Sequence, residues 1–170
     1  MNIKQRHFIK SSEIKTLKED ISKNYDEKFV NQIFPKKCSV EVINTEAGDI
    51  LYAIDNKLKL WKSKEGYLPV LTILLDEKNK VDLKTIAVDK GAIRFVTNGA
   101  DIMRPGIRKI DPTIKKEDIV RIADETHDRT LAVGKALFNA QEMMSLKEGK
   151  VVRNLHTIQD SVWAFSKEFK

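Results

Sequence analysis

A polar segment without any hydrophobic pattern, DEKNKVDLK at positions 76–84, separates two stretches of the chain that differ in hydrophobic rhythm. Before it, two helix-like patterns are followed by strand-like runs; after it, short strand-like runs recur with few helical residues between them. A chain of 170 residues is long enough for two small domains. We therefore predict a first domain over residues 1–79 and a second over residues 80–170.

The first domain is predicted to be a small α+β unit. Its first helix begins with Ser11 or Ser12 as the cap and extends to residue 24, and a second helix fits residues 26–34. Three runs that alternate like strands follow at residues 39–44, 49–54 and 57–62. Helices followed by a run of strands are typical of the α+β class.

The second domain is predicted to be built from short strands. Strand-like runs occupy residues 83–88, 100–107, 117–125, 130–138, 149–158 and 161–165. A short helix is predicted at 139–146, where Asn139 and Glu142 have the spacing of a capping box. About six short strands with two short helices indicate a small, partly open β-barrel.

The chain is basic, and its arginines are concentrated in the second half. The net charge is +6, and six of the seven arginines follow residue 80: Arg94, Arg104, Arg108, Arg121, Arg129 and Arg153. Arginine offers a rigid fork to phosphate and stacks on bases. This distribution favours nucleic-acid binding by the second domain, although solvated surface arginines explain it equally well.

A short helix bracketed by glycines follows the first strand of the second domain, in the stretch VDKGAIRFVTNGADIMRPGI at 88–107. Asp89 is placed to cap this helix, and Gly99 is placed to end it in a left-handed conformation. The inward face is predicted to consist of Ala92, Ile93 and Val96.

The spacing of Lys90, Arg94 and Asn98 predicts that they form a basic stripe on the outward face of the same helix. Like charges one helical turn apart cost an isolated helix roughly 0.2–0.5 kcal/mol, so the pair calls for an explanation. Gly99 and Ala100 follow with almost no side chain, which lets another backbone approach closely. The pattern fits a cradle for a phosphate backbone, and it also fits an ordinary helix with a solvated side.

Nothing in the sequence predicts a catalytic, cofactor or metal site. The single cysteine, Cys38, and the three scattered histidines have no zinc-ligand spacing. The first domain lacks a glycine-rich nucleotide loop, and its only histidine is His7. No cofactor, no metal and no enzymatic activity are expected.

The sequence also predicts a cytoplasmic protein that makes no membrane contact. The longest nearly apolar run, LPVLTILL at 68–75, is too short to cross a bilayer. The N-terminal residues MNIKQRHFIK have no apolar signal core.

The stretch at 88–107 resembles the signature of the PUA domain, named after pseudouridine synthases and archaeosine transglycosylases. The resemblance covers roughly residues 83–166 and includes a D-x-G-A helix start, an N-G-A-D turn, an M-x-P-G strand, an A-V-G-x-A core strand and a closing V-W. Upstream, QIFPKKCSVEVI and GYLPVLTILL resemble the first domain of the malignant T-cell amplified sequence family. The chain is therefore similar to an archaeal-type member of that family of translation factors.

This resemblance implies a pre-PUA α+β domain followed by a PUA β-pseudobarrel that binds structured RNA, either tRNA or small-subunit rRNA. Carried over onto this sequence, the implied RNA-binding residues are Lys90, Gly91, Arg94, Asn98, Gly99, Ala100, Asp101, Met103, Arg104, Arg153 and His156. The first domain is expected to contact the ribosome or a translation-factor protein partner.

The resulting expectation is a non-catalytic RNA-binding protein that acts in initiation, re-initiation or recycling of translation. Two alternatives remain open. One is an RNA-holding subunit of an RNA-modification system, and the other is a protein-interaction scaffold that binds RNA weakly.

Overall fold

The computed structural model describes all 170 residues, and they form two compact units. The first unit consists of Met1–Asp82 together with Ala164–Lys170, and the second consists of Leu83–Trp163. The division expected from the sequence assigned the C-terminal residues to the second domain, because no local pattern connects them with the start of the chain.

A five-stranded antiparallel sheet, three helices and the C-terminal residues 164–170 make up the first unit. In chain order its elements are β1 (Ile3–Phe8), α1 (Ser11–Ser22), α2 (Glu27–Ile33), β2 (Val40–Thr45), β3 (Ile50–Ile54), β4 (Lys57–Ser63), β5 (Gly66–Pro69) and α3 (Leu71–Leu74). The strand order is β1-β2-β3-β4-β5, so each strand pairs with its neighbour in sequence. The predicted α+β class is confirmed for this unit.

Strand β1 lies at the edge of that sheet and was missing from the sequence prediction, because all six of its residues are exposed and none shows an apolar alternation. A two-point ion pair fastens it: Arg6 Nε and Nη2 lie 2.6 and 2.7 Å from the two carboxylate oxygens of Glu41 on β2. The Arg6 guanidinium also faces the ring of Phe169, with 5.3 Å between the guanidinium carbon and the ring centroid. The C-terminal residues of the chain therefore pack on its first strand.

The second unit is a six-stranded sheet that nearly closes into a barrel. Its elements are β6 (Thr85–Val88), α4 (Ile93–Thr97), β7 (Ile102–Met103), β8 (Ile107–Ile110), β9 (Ile119–Asp124), β10 (Thr130–Ala136), α5 (Ala140–Ser145) and β11 (Lys150–Thr157). The strand order is β7-β11-β10-β9-β6-β8, with β6 parallel to β9 and the other pairs antiparallel.

Closure of this barrel follows from the chain itself. The two edge strands, β7 and β8, are consecutive in sequence and are joined only by the single 3-10 turn Arg104–Gly106. Their connection therefore holds the two edges of the sheet close to each other. The interior is filled by buried aliphatic side chains, among them Ile86, Val96, Ile122 and Val152, and the predicted small barrel is confirmed.

Three local predictions are wrong, and the first two fail because of a hydrogen bond to a side chain that the sequence pattern does not show. The segment at 161–165 is not a strand but the start of helix α6 (Ser161–Glu168), since the Asp160 carboxylate accepts the N–H of Trp163 at 2.8 Å and caps it. Asn139 precedes α5 but forms no capping box; its Oδ1 accepts the N–H of Lys116 at 2.8 Å instead.

Helix α1 likewise begins one residue earlier than the predicted serine caps allow. Lys10 is the residue at the cap position, and its backbone N–H donates to the Glu13 carboxylate at 2.9 Å. Ser11 and Ser12 are exposed residues of the first turn. The cap of α2 is the residue that precedes it, Asp26, which accepts the Phe29 N–H at 2.8 Å.

Candidate nucleic-acid interface

The helix at the start of the candidate interface is built as the sequence predicts. Asp89 accepts the N–H of Ala92 at 2.9 Å, so the chain turns through a 3-10 segment, Lys90–Ala92, directly into α4. Val96 is buried, and Ala92 and Ile93 pack against the core. The predicted cap and inward face are both confirmed.

The opposite side of this helix carries the basic stripe to the surface. Lys90, Arg94 and Asn98 are all exposed. The Arg94 guanidinium lies over the ring of Phe95, with 4.7 Å between the guanidinium carbon and the ring centroid, and Phe95 is 53% exposed. A cation and an aromatic ring are therefore held together at the surface. This exposure is unusual, because most large apolar side chains are buried inside a protein.

Gly99 ends the helix with a φ of +93°, as predicted, and a Cβ at this position would meet no atom within 4 Å. Its N–H donates to the carbonyl of Val96 at 3.0 Å, which is the usual closure of a helix by a left-handed residue. The surface beside Gly99 and Ala100 is consequently open to an approaching backbone.

A residue that the sequence analysis did not single out, Asn154, fixes this turn. From strand β11 its side-chain amide donates to the carbonyls of Val96 and Ala100, both at 2.9 Å. Its backbone N–H donates to the Asp101 carboxylate, also at 2.9 Å. The separation of more than 50 residues in sequence gives no local signal that could have revealed these contacts.

The Asp101 carboxylate has a second partner on the other side. Its Oδ2 lies 3.3 Å from the Nζ of Lys150, the first residue of β11. Lys150 is paired across the sheet with Met103, which is 49% exposed. The start of β11 therefore lies directly beside the expected contact residues of β7.

Arg104 has a structural role that the sequence did not predict. Its Nε donates to the carbonyl of Met143 at 2.6 Å, near the end of α5, and its Nη1 donates to the carbonyl of Ile107 at 3.3 Å. A cation at a helix C-terminus interacts favourably with the helix dipole. The half-buried Arg104 thus ties α5 to the turn between β7 and β8.

His156, one of the RNA-binding residues that the resemblance implies, does not lie at the surface. It is 1% exposed, and its Nδ1 lies 2.6 Å from Oδ2 of Asp160. Burial alone would raise the pKa of Asp160, but the hydrogen bond from His156 and those from two backbone N–H groups hold that pKa below its usual value. The His156 side chain is therefore a buried partner of the helix cap and offers no surface to a ligand.

The arginines of the second half do not form one basic surface. Arg121 is buried, and it donates to the hydroxyls of Thr85 and Thr130 at 3.0 Å and forms an ion pair with Asp128. Arg108 forms an ion pair with Asp89 at 3.1 Å. The concentration of arginines in the sequence therefore reflects internal bracing of the barrel as well as exposed positive charge.

The structure thus separates the eleven expected contact residues into three groups. Those exposed at the surface are Lys90, Gly91, Arg94, Asn98, Gly99, Ala100 and Met103, those half-buried are Asp101, Arg104 and Arg153, and the one buried is His156. The exposed group lies on the consecutive stretch from the 3-10 turn through α4 to β7.

An open apolar cavity of about 240 Å³ adjoins this stretch, between α4, β7 and the turn that follows it. Its lining includes Val88, Ala92, Phe95, Met103 and Gly106. No group of three or more histidine, cysteine or acidic side chains in the chain could hold a metal ion. None of the helices has the length and apolar character needed to cross a membrane.

Comparison with protein families matches both units of the chain. The Pre-PUA-like domain matches residues 1–76, and the PUA domain matches residues 84–158. A solved structure of a hypothetical protein from Pyrococcus horikoshii is similar over 95% of this chain and 99% of its own, with a TM-score of 0.83 and 27% identity. The fold of the whole chain therefore has a counterpart of nearly equal length.

Curated relatives also match along the whole chain. An uncharacterized protein of Methanocaldococcus jannaschii is 37% identical over 97% of this chain and 99% of its own. Translation machinery-associated protein 20 of Saccharomyces cerevisiae is 31% identical over 98% of this chain and 96% of its own. Malignant T-cell-amplified sequence 1-B of Xenopus laevis is 31% identical over 91% and 88%. With both units matched and these relatives similar over nearly their full length, the chain belongs to the malignant T-cell-amplified sequence and translation machinery-associated protein 20 family, as a Pre-PUA-like domain followed by a PUA domain.

Proposed function

We propose that the chain is a non-catalytic RNA-binding protein that acts in translation, and that its second unit binds structured RNA, either tRNA or small-subunit rRNA. The observation that carries this proposal is the exposed stripe of Lys90, Arg94 and Asn98 beside the open turn at Gly99. The match to the PUA domain and the name of the yeast relative support it. In this role the protein works in the cytoplasm, with the ribosome.

The electrostatics of the stripe supports a phosphate group as its ligand. Lys90 and Arg94 are exposed like charges one helical turn apart, an arrangement that slightly destabilises the free helix. A phosphate group bound between them would neutralise both charges. The exposed ring of Phe95, already in contact with the Arg94 guanidinium, adds a flat surface on which an unpaired base can stack.

For the first unit, we propose a contact with the ribosome or with a translation-factor protein. Its basic character supports the first of these partners, since residues 1–80 carry half of the net charge of the chain. Binding of RNA by the second unit and of a partner by the first would let the protein hold an RNA at a defined place on the translation machinery.

The proposal predicts that a variant with both Lys90→Gln and Arg94→Gln binds RNA less tightly without losing stability. RNA affinity should fall by about 1–3 kcal/mol, and the slope of log affinity against log salt should decrease by about one per lost phosphate contact. Thermal stability should hold or rise, because a repulsion of a few tenths of a kcal/mol is removed. The measurement is a salt titration of tRNA and small-subunit rRNA binding.

A matched control is available in the loop between β8 and β9, where Lys115 and Lys116 are also exposed. Changing both to glutamine removes the same net charge from a surface outside the stripe, and it should alter affinity much less. If the stripe variant and the control lose the same affinity, only overall charge matters. If neither variant changes the slope, the stripe is merely solvated and the scaffold alternative is favoured.

A further inference from the structure

The resemblance implied that Arg153 and His156 of strand β11 contact RNA, but neither side chain is exposed in the structure. His156 is buried against Asp160, and Arg153 is half-buried. The exposed part of this strand is its beginning, at Lys150, and not its middle. Lys150 is therefore the residue of β11 that is most accessible to RNA.

Lys150 meets the geometric requirements for such a contact. Its side chain is 48% exposed, and its backbone pairs with Met103 in the exposed strand β7. Its ammonium lies 3.3 Å from the Asp101 carboxylate, two residues beyond Gly99. The positive charge is thus held next to Asp101, at the end of the turn that leads into β7.

The same pair explains why a carboxylate is present among the expected RNA-binding residues. A free carboxylate would repel a phosphate backbone, but both oxygens of Asp101 already have partners, the Asn154 N–H on one side and the Lys150 ammonium on the other. Because Asp101 is held in this way by β11, it can orient the ammonium without itself touching RNA.

Resting on the RNA-binding function proposed above, we propose that Lys150 is a further phosphate-contacting residue and that Asp101 positions it. A phosphate arriving at the turn competes with Asp101 for the ammonium of Lys150. The RNA backbone is then held at two places, by the stripe that α4 carries before the Gly99 turn and by Lys150 on β11.

The experiment is a salt titration of tRNA binding by the full chain with Lys150→Gln, Asp101→Asn and the two changes combined, with Lys116→Gln as the matched control. Lys150→Gln should weaken binding about three- to tenfold near 0.1 M salt and lower the salt slope by about one. Asp101→Asn keeps an oxygen to accept the Asn154 N–H and removes the competing charge, so affinity should hold or rise. Lys150→Arg should retain most of the affinity.

The combined variant separates a phosphate contact from a structural role. If Lys150 touches phosphate, Lys150→Gln must weaken binding in the Asp101→Asn background as well. If Lys150 only stabilises the turn through Asp101, its effect disappears in that background, which overturns the proposal. Loss of binding by the Lys90 and Arg94 variant with none by Lys150→Gln overturns this inference alone. An unchanged salt slope in every variant overturns the proposed function with it.

Discussion

Asn154 shows how much of the candidate interface depends on one side chain outside it. The carbonyls of Val96 and Ala100 both accept from the Asn154 side-chain amide, and the Val96 carbonyl also accepts the Gly99 N–H that closes the helix. A single amide supplies a hydrogen bond to each, and the Gly99 turn is thereby fastened to β11. The exposed contact residues can stay free for a ligand because this neighbour holds their backbone.

We expect Asn154→Ala to lower the free energy of unfolding by about 1–3 kcal/mol, because the carbonyls of Val96 and Ala100 each lose one hydrogen bond. The backbone N–H of residue 154 remains, so the Asp101 carboxylate keeps its partner. The measurement is urea denaturation, with Asn98→Ala as the control, since Asn98 is exposed. Equal stability of the Asn154 variant and the wild type would show that the amide does not hold the turn.

The arginines illustrate what residue type can and cannot predict. Composition showed that most arginines lie in the second half, and the helical spacing correctly predicted that Arg94 lies at the surface. Residue type could not distinguish Arg94 from Arg121 or Arg104, whose guanidinium groups bind hydroxyls, carbonyls and a carboxylate within the second unit. These partners lie between 3 and 39 residues away in sequence, so only the fold defines them.

At the scale of the element, the turn between β9 and β10 is organised by one buried carboxylate. Asp124 is 7% exposed and accepts three backbone N–H groups, from Thr126, His127 and Arg129, at 3.1, 2.6 and 3.1 Å. The hydrogen bond from the His127 N–H is the main reason why the pKa of Asp124 lies below its ordinary value. The charged form of Asp124 is therefore favoured by folding.

This lowered pKa predicts a pH-dependent contribution to stability. A carboxylate whose pKa is lowered in the folded state stabilises the protein at pH values above its ordinary pKa, which is about 4. This stabilisation is lost as the pH falls through the pKa of the folded state. Asp124→Asn should therefore be less stable than the wild type at pH 7, by about 1–3 kcal/mol, and the difference should narrow below pH 4. Urea denaturation at several pH values measures it.

A control for this experiment is Glu148→Gln, which removes an exposed carboxylate from a surface loop. Its stability should follow that of the wild type at every pH. If the difference in the free energy of unfolding between the wild type and the Asp124 variant stays constant down to pH 3, a role for the ionised carboxylate is contradicted.

Elements with a strong local pattern were predictable, and those defined by distant partners were not. The Asp89 cap, the inward face of α4 and the left-handed Gly99 all follow from short-range rules and are confirmed. Strand β1 has no apolar face, so periodicity cannot reveal it. Helix α6 was predicted as a strand because VWAF contains strand-forming residues, whereas the Asp160 cap decides the outcome.

At the scale of the whole molecule, the second unit has a core of its own. Every buried residue of that core, from Ile86 to Val152, lies within Leu83–Trp163. We expect a fragment of residues 80–170 to unfold in one cooperative thermal transition, and a fragment of residues 80–163 to have a similar midpoint. Circular dichroism at increasing temperature tests this, and a gradual loss of signal in both fragments would contradict an independent core.

The first unit depends on residues from both ends of the chain, and this has a consequence for synthesis. Strand β1 is made first, yet its Arg6 packs against Phe169, which follows after the whole second unit has been translated. The first unit can therefore be completed only after the whole second unit has been made, although most of it comes first in sequence. Of the two units, the one that a ribosome begins first is the one that it finishes last.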